Sequence, residues 1–170
     1  LIPPFDHHDV VAGQGTVGLE ILDQVPDVDT VVVPIGGGGI MAGISSVMKQ
    51  RAAAEGREIR VIGVQSANIA PYPASLAAGK IVEVPTSPTI ADGIAVARPG
   101  ELNFDIIRHT VDEVVTVEDD ETARAILMMM EGRSWSSNQL ELWLPRRLLR
   151  AGSTPPAPPW RCCVEAISIR

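Results

Sequence analysis

The run Val31-Val32-Val33-Pro34-Ile35 opens into four consecutive glycines, Gly36 to Gly39, which lead into the apolar stretch Ile40-Met41-Ala42-Gly43. A β-branched run of this kind reads as a buried strand of a parallel sheet. The residues after the glycines read as a helix: Ile40, Ile44, Val47 and Met48 share one face, and Lys49, Gln50 and Arg51 lie toward its C-terminal end. Without Cβ atoms, the glycines let backbone N–H groups approach an anion, and the helix points its positive end at the same spot. The stretch predicts a phosphate-binding loop. The bland alternative, a flexible linker, is disfavoured because the glycines are gripped between two apolar elements.

The kind of phosphate is narrowed by the residues flanking the loop. No Gly-Lys-Ser/Thr comes after the glycines, which argues against a nucleoside-triphosphate loop. Gly37-x-Gly39-x-x-Ala42 does fit the loose dinucleotide fingerprint. That fingerprint also wants an acidic residue at the end of the next strand, to hold a ribose hydroxyl. Here the next strand, Ile59 to Val64, runs into Gln65-Ser66. A nicotinamide cofactor on a Rossmann-like module is therefore the second reading.

Around the loop, apolar periodicity predicts repeated strand–helix–strand units, and hence an α/β fold with an open, mostly parallel sheet and flanking helices. A helix is expected to open at Ala12-Gly13-Gln14-Gly15-Thr16 with Thr16 as its cap. Asp6-His7-His8-Asp9 reads as a solvated loop rather than a metal site, because adjacent histidines rarely face one ion. Pro71–Ala78 predicts a loop leading into a short helix, and Lys80–Val84 a short strand. Thr89–Val96 has no period, and its Asp92-Gly93 is a turn signal. Leu102–Arg108 predicts helix, Glu113–Val117 strand, and Asp119–Met130 a helix with an acidic start. The Met128–Met130 run reads as core or interface.

Length and charge bound the partners. The chain has 170 residues, about one domain, and a formal net charge of −7, which disfavours nucleic acid and anionic membrane. No apolar stretch is long enough for a membrane span, and the start lacks a basic-then-apolar signal. The two cysteines, Cys162 and Cys163, are adjacent and suit neither a metal site nor a disulfide framework. A cytoplasmic setting is the expectation.

Composition breaks near Gly132. Before it stand 8 Lys+Arg against 19 Asp+Glu; from it onward, 6 Arg against 2 Glu, with all three Trp and both Cys. The expected division is residues 1–131 as a partial α/β domain and 132–170 as an aberrant, loosely ordered tail containing Pro155-Pro156-Ala157-Pro158-Pro159.

Six segments resemble one family, in order and spacing: Pro4-Phe5-Asp6, Ala12–Thr16, Val33–Gly39, Val61–Gln65, Thr89–Gly93 and Val111–Val117. They resemble the pyridoxal-phosphate-dependent serine/threonine dehydratases, and threonine ammonia-lyase within them. The resemblance implies the tryptophan-synthase β-like (type II) fold. It implies that Gly36, Gly37, Gly38, Gly39 and Ile40 hold the phosphate of pyridoxal 5'-phosphate through backbone amides, with Gly93 near the pyridine ring. It also implies a small amino-acid substrate, loss of water from threonine or serine, release of ammonia and a 2-oxo acid, and a homo-oligomeric parent.

Departures from the family pattern carry their own expectations. The family's Schiff-base lysine lies upstream in a Ser-Phe-Lys segment; the only lysines here, Lys49 and Lys80, lack that context. No catalytic residue is therefore assigned, and the polypeptide alone is expected to be inactive. Gln65 and Pro71 stand where some members place cation-binding carboxylates, so no metal is expected. After Met130 the family continues as Leu-Val-Val-Glu-Pro-Ala-Gly-Ala. Back-translating Ser134 to Leu144 with GC-rich codons and regrouping from the last base of the Ser134 codon encodes that continuation. The segment from about Gly132 therefore reads as a frameshifted translation.

Overall fold

The computed structural model describes residues 3–130. The expected tail, with its proline run and its frameshifted reading, lies outside the described residues. In chain order the elements are α1 (His8–Gln24), β1 (Thr30–Pro34), α2 (Gly39–Glu55), β2 (Arg60–Ser66), α3 (Pro71–Ala78), a 3-10 turn (Asp92–Ile94), α4 (Glu101–Thr110), β3 (Glu113–Val117) and α5 (Asp119–Met130).

The three strands form one parallel sheet in the order β1-β2-β3. Val31 pairs with Val61 and Val33 with Gly63; Gly63 in turn pairs with Val114 and Gln65 with Thr116. The strand buried on both faces is β2, the middle one, whose Val61, Ile62 and Gly63 are all buried. In β1 only Val31 and Val33 are buried and Pro34 is exposed, which suits a strand at the edge of the described sheet. Parallel pairing puts the C-terminal ends of all three strands on one side, and the glycine loop leaves from that side.

Helix α2 packs on both of its neighbours. A Cβ on Gly43 would stand 2.6 Å from Gly15 N and from Val11 O, so α1 and α2 cross with their backbones nearly touching. On another flank, Ser45 Oγ and Thr110 Oγ1 are 2.7 Å apart, tying α2 to α4. Val31, Val33, Ile35, Met41, Met48, Ile59, Val61 and Ile107 form the centre of the core between sheet and helices. Burying such side chains contributes about 1.5–3 kcal/mol each.

Five expectations change. Helix α1 begins at His8, not near Ala12, because His7 Nδ1 accepts the Asp9 N–H and caps it. Thr16 is mid-helix, its hydroxyl turned back to Gly13 O. The Asp6–Asp9 cluster is thus a helix start, with Asp6 engaged elsewhere. Pro71 occupies the first turn of α3, so Pro71–Ala78 is helix throughout and the loop lies before it, at residues 67–70. Lys80–Val84 is not a strand: Val82 N–H donates to Ser75 Oγ and Val84 N–H to Ala97 O. No residue of α5 is buried, and Met129 and Met130 are 57% and 77% exposed, so of the two readings of the methionine run, core or interface, the core one does not hold.

Candidate anion-binding site

The loop leaves the sheet at a fixed point. Ile35, fully buried, donates its N–H to Val64 O at 2.8 Å. Gly38 then takes the left-handed conformation, φ +102°, as the N-cap of α2. A side chain there is excluded twice, by that conformation and because a Cβ would fall on the Tyr72 hydroxyl. With no capping side chain, the first helical bond is Ala42 N–H to Gly38 O at 2.8 Å. The six backbone N–H groups from Gly36 to Met41 meet no acceptor among the described residues. The first N–H groups of a helix have no partner within it, so a run of such donors at a helix N-terminus is a ready anion site.

These donors border a cavity of about 330 Å³. It is lined by Pro4, Phe5, Val10, Gln14, Pro34, Gly36, Gly37, Gly38, Gly39, Ile40, Met41, Gly93, Ile94 and Val96. The structure therefore brings together every site residue expected from the sequence, Gly36 to Gly39, Ile40 and Gly93. The 3-10 turn delivers the last: a Cβ on Gly36 would be 3.2 Å from Ile94 Cα and 3.6 Å from Gly93 O. None of the lining residues carries a charged side chain, so an anion here is met by backbone dipoles alone.

Residues with no role in the sequence reading hold the loop in place. The Phe5 ring lies where a Cβ on Gly37 would be, covering the loop. Its neighbour Asp6 caps α4 from a distance of 95 residues in sequence, accepting N–H groups of Glu101 at 2.9 Å and Leu102 at 3.0 Å. Asn103, fully buried, donates through Nδ2 to Phe5 O and to Gly37 O, both at 3.0 Å. Tyr72 donates its hydroxyl to Gly37 O at 3.1 Å. Burial, and secondarily the charge of Asp6, push the Tyr72 phenol well above its ordinary range, so it stays protonated and remains a donor. Spacing along the chain carries no sign of these contacts, because each joins segments far apart in sequence.

Gln65 is buried, and both ends of its amide are engaged. Nε2 donates to Ile35 O at 3.1 Å and Oε1 accepts the Tyr72 N–H at 2.9 Å. It therefore braces the exit of β1 against the start of α3. At the other end of the strands, a concavity of about 540 Å³ is lined by Asp29, Lys49, Arg57, Arg60 and Asp112 among others. It is larger than the glycine-lined cavity, but its cations are satisfied by its own carboxylates and their neighbours. Lys49 pairs with Asp112, Arg57 with Glu55 and Arg60 with Glu113. The free donors favour the smaller cavity. Among the described residues no cluster of three His, Cys, Asp or Glu side chains could hold a metal, and no helix is long and apolar enough to cross a membrane.

Residues 1–135 match the family described as pyridoxal-phosphate dependent enzyme. Over 130 residues the chain is 47% identical to the L-threonine ammonia-lyase of Thermotoga maritima, covering 76% of this chain and 31% of that protein. It is 46% identical over 130 residues to the catabolic L-threonine dehydratase of Escherichia coli K12, covering 76% of this chain and 38% of that one. The processed form of threonine deaminase isoform 2 from Solanum lycopersicum superposes with a TM-score of 0.72 at 38% identity, over 76% of this chain and 37% of that chain. Maize serine racemase superposes with a TM-score of 0.70 at 38% identity, over 77% and 40%. The matched segment thus spans between 31% and 40% of these relatives. A dinucleotide module gains no support from them, and the position that would hold its ribose carboxylate is the fully engaged Gln65.

Proposed function

The chain belongs to the pyridoxal-phosphate-dependent enzymes and has their tryptophan-synthase β-like fold, and on that premise we propose that it carries the cofactor-phosphate site of a threonine ammonia-lyase. In this reading Gly36, Gly37, Gly38, Gly39 and Ile40 hold the phosphate through backbone N–H groups, and Gly93 lies beside the pyridine ring. The observation that carries it is the row of N–H groups from Gly36 to Met41, without acceptors among the described residues, along a cavity lined by uncharged side chains. When bound, pyridoxal phosphate supplies the electron sink for bond changes at the amino acid's α-carbon. The chain's own residues bind and orient. Phe5, Ile94 and Val96 wall the cavity with apolar surface and limit water beside the donors.

The names of the relatives favour L-threonine as substrate, giving 2-oxobutanoate and ammonia, with serine as the second choice. The whole protein is then a cytoplasmic homo-oligomer acting on a small amino acid, with no nucleic-acid partner. The polypeptide alone does not turn threonine over. Lys49 Nζ is held by Asp112 and Ile59 O at the N-terminal ends of the strands, some ten residues or about 15 Å along α2 from the glycines. Lys80 is exposed beyond α3.

The test compares binding of pyridoxal phosphate with that of pyridoxal, which lacks the anion, while following the Gly36–Gly39 amide resonances. The expected result is binding of the phosphate ester and of inorganic phosphate with shifts at those amides. Reduction with borohydride is expected to fix no adduct at Lys49 or Lys80. Equal affinity for pyridoxal and its phosphate, or shifts elsewhere, would overturn the reading.

A further inference from the structure

The Gly37 carbonyl is the most heavily engaged acceptor behind the glycine loop. Three donors converge on it: Tyr72 Oη at 3.1 Å, Asn103 Nδ2 at 3.0 Å and Gly100 N at 3.2 Å. They come from α3 and from the start of α4 with its capping residue Gly100, two elements that also meet where the Tyr72 and Phe104 rings lie 6.5 Å apart. Tyr72 and Asn103 are both fully buried, so no water competes for the bond.

A carbonyl oxygen has two lone pairs, and three donors saturate it. Every peptide bond described is trans, so the Gly37 C=O and the Gly38 N–H point in opposite directions across one plane. Holding the oxygen among Tyr72, Asn103 and Gly100 therefore turns the Gly38 N–H away from them, toward the cavity that Gly38 lines. Glycine on both sides of this peptide makes the reversed plane sterically accessible. Local sequence therefore does not choose the orientation; the donors behind the loop do.

We propose that Tyr72 and Asn103 are positioning residues of the phosphate loop, fixing the Gly37–Gly38 peptide so that the Gly38 N–H faces the bound anion. The assignment rests on the reading of this loop as a cofactor-phosphate site. Neither side chain lines the cavity, and both act through the backbone. Asn103 adds a second link, since its Nδ2 also holds Phe5 O and so couples the covering ring to the same peptide. Its Oδ1 accepts nothing among the described residues, which leaves donation as the task of this buried amide.

The test uses the full chain and two separate variants, Tyr72→Phe and Asn103→Ala, with pyridoxal phosphate, pyridoxal and inorganic phosphate as probes. Each variant is expected to weaken pyridoxal phosphate and inorganic phosphate by about three- to tenfold, the loss of roughly one oriented hydrogen bond. Each is expected to leave pyridoxal affinity unchanged and to reduce the phosphate-induced shift of the Gly38 amide. A structural role alone would lower the melting temperature while keeping the ratio of phosphate-ester to pyridoxal affinity constant. That constant ratio in a folded variant, with wild-type binding intact, overturns the positioning role and spares the phosphate site. Failure of the wild-type chain to prefer the phosphate ester overturns both. Because either variant suffices, loss of fold in one leaves the other to decide.

Discussion

The Asp6 carboxylate and Gly100 stand so close that a Cβ on Gly100 would lie 2.5 Å from Asp6 Oδ1. That approach lets Asp6 reach the N–H groups of Glu101, Leu102 and Asn103 and cap α4 from the far end of the described chain. Either partner can break it. Asp6→Ala is expected to lower stability by about 1–2 kcal/mol, the usual cost of a lost cap. Gly100→Ala should do the same by pushing the carboxylate off the helix end, and Asp6→Asn, which retains an acceptor, should lose less. Urea unfolding of the three variants checks the order. Equal stability of Asp6→Ala and wild type would mean that the cap contributes nothing.

Tyr72 is the single tyrosine of the chain, so tyrosinate absorbance reports it alone. Burial and the charge of Asp6 favour its neutral form in the folded protein, raising its pKa above the ordinary 10.0. Between that ordinary value and the raised one, the unfolded chain loses the proton first. Its contribution to stability is then intact below about pH 10 and is lost as pH rises through the folded pKa. Alkaline unfolding should coincide with the appearance of tyrosinate. In Tyr72→Phe this part of the pH slope should vanish, and an unchanged slope would assign it to other groups.

Two glycines of neighbouring helices should respond in opposite senses. A Cβ on Gly43 would press on Gly15 N and Val11 O, so Gly43→Ala must separate α1 from α2 and is expected to cost about 1–3 kcal/mol. A Cβ on Gly13, which lies within α1, would meet nothing within 4 Å. Gly13→Ala is therefore expected to stabilise by about 0.5–1 kcal/mol through helix propensity. Thermal denaturation of the pair separates close packing from propensity. Similar signs for both would sink the close helix crossing.

The composition break at Gly132 leads to a prediction about nucleic acid sequence rather than protein. DNA covering residues 132–170 should encode, in another frame, the Leu-Val-Val-Glu-Pro-Ala-Gly-Ala continuation. An uninterrupted reading frame with no added or missing base relative to the dehydratases would remove the frameshift. Residues 132–170 would then stand as the chain's own tail.

Local pattern made some of this structure readable in advance, and distance along the chain hid the rest. The Val31–Val33 strand, the glycine turn and the apolar face of Ile44, Val47 and Met48 each declare themselves within a dozen residues. The caps do not. Ser or Asp at a helix start is a sequence signal, but α4 is capped by Asp6, and α1 by a histidine, a less common choice. Lys80–Val84 has strand-like residues, yet Ser75 Oγ and Ala97 O take up the N–H groups of Val82 and Val84, leaving no ladder to join. Gln65 marks where a dinucleotide carboxylate is missing; only the structure shows its amide bridging Ile35 and Tyr72. Of the candidate site, the glycines were legible because the chemistry requires an absent side chain. The groups aiming them were not, since hydrogen bonds between remote segments leave no periodicity.

A binding loop made of residues without side chains cannot be adjusted by ordinary substitution within itself. Adding a methyl group at Gly37 strikes Phe5, and at Gly38 it strikes Tyr72. Any drift in the grip on the anion must instead be written one layer back, in the α3 and α4 groups that tilt a single peptide plane. Variation in affinity among related chains is then to be sought at positions that never touch the ligand.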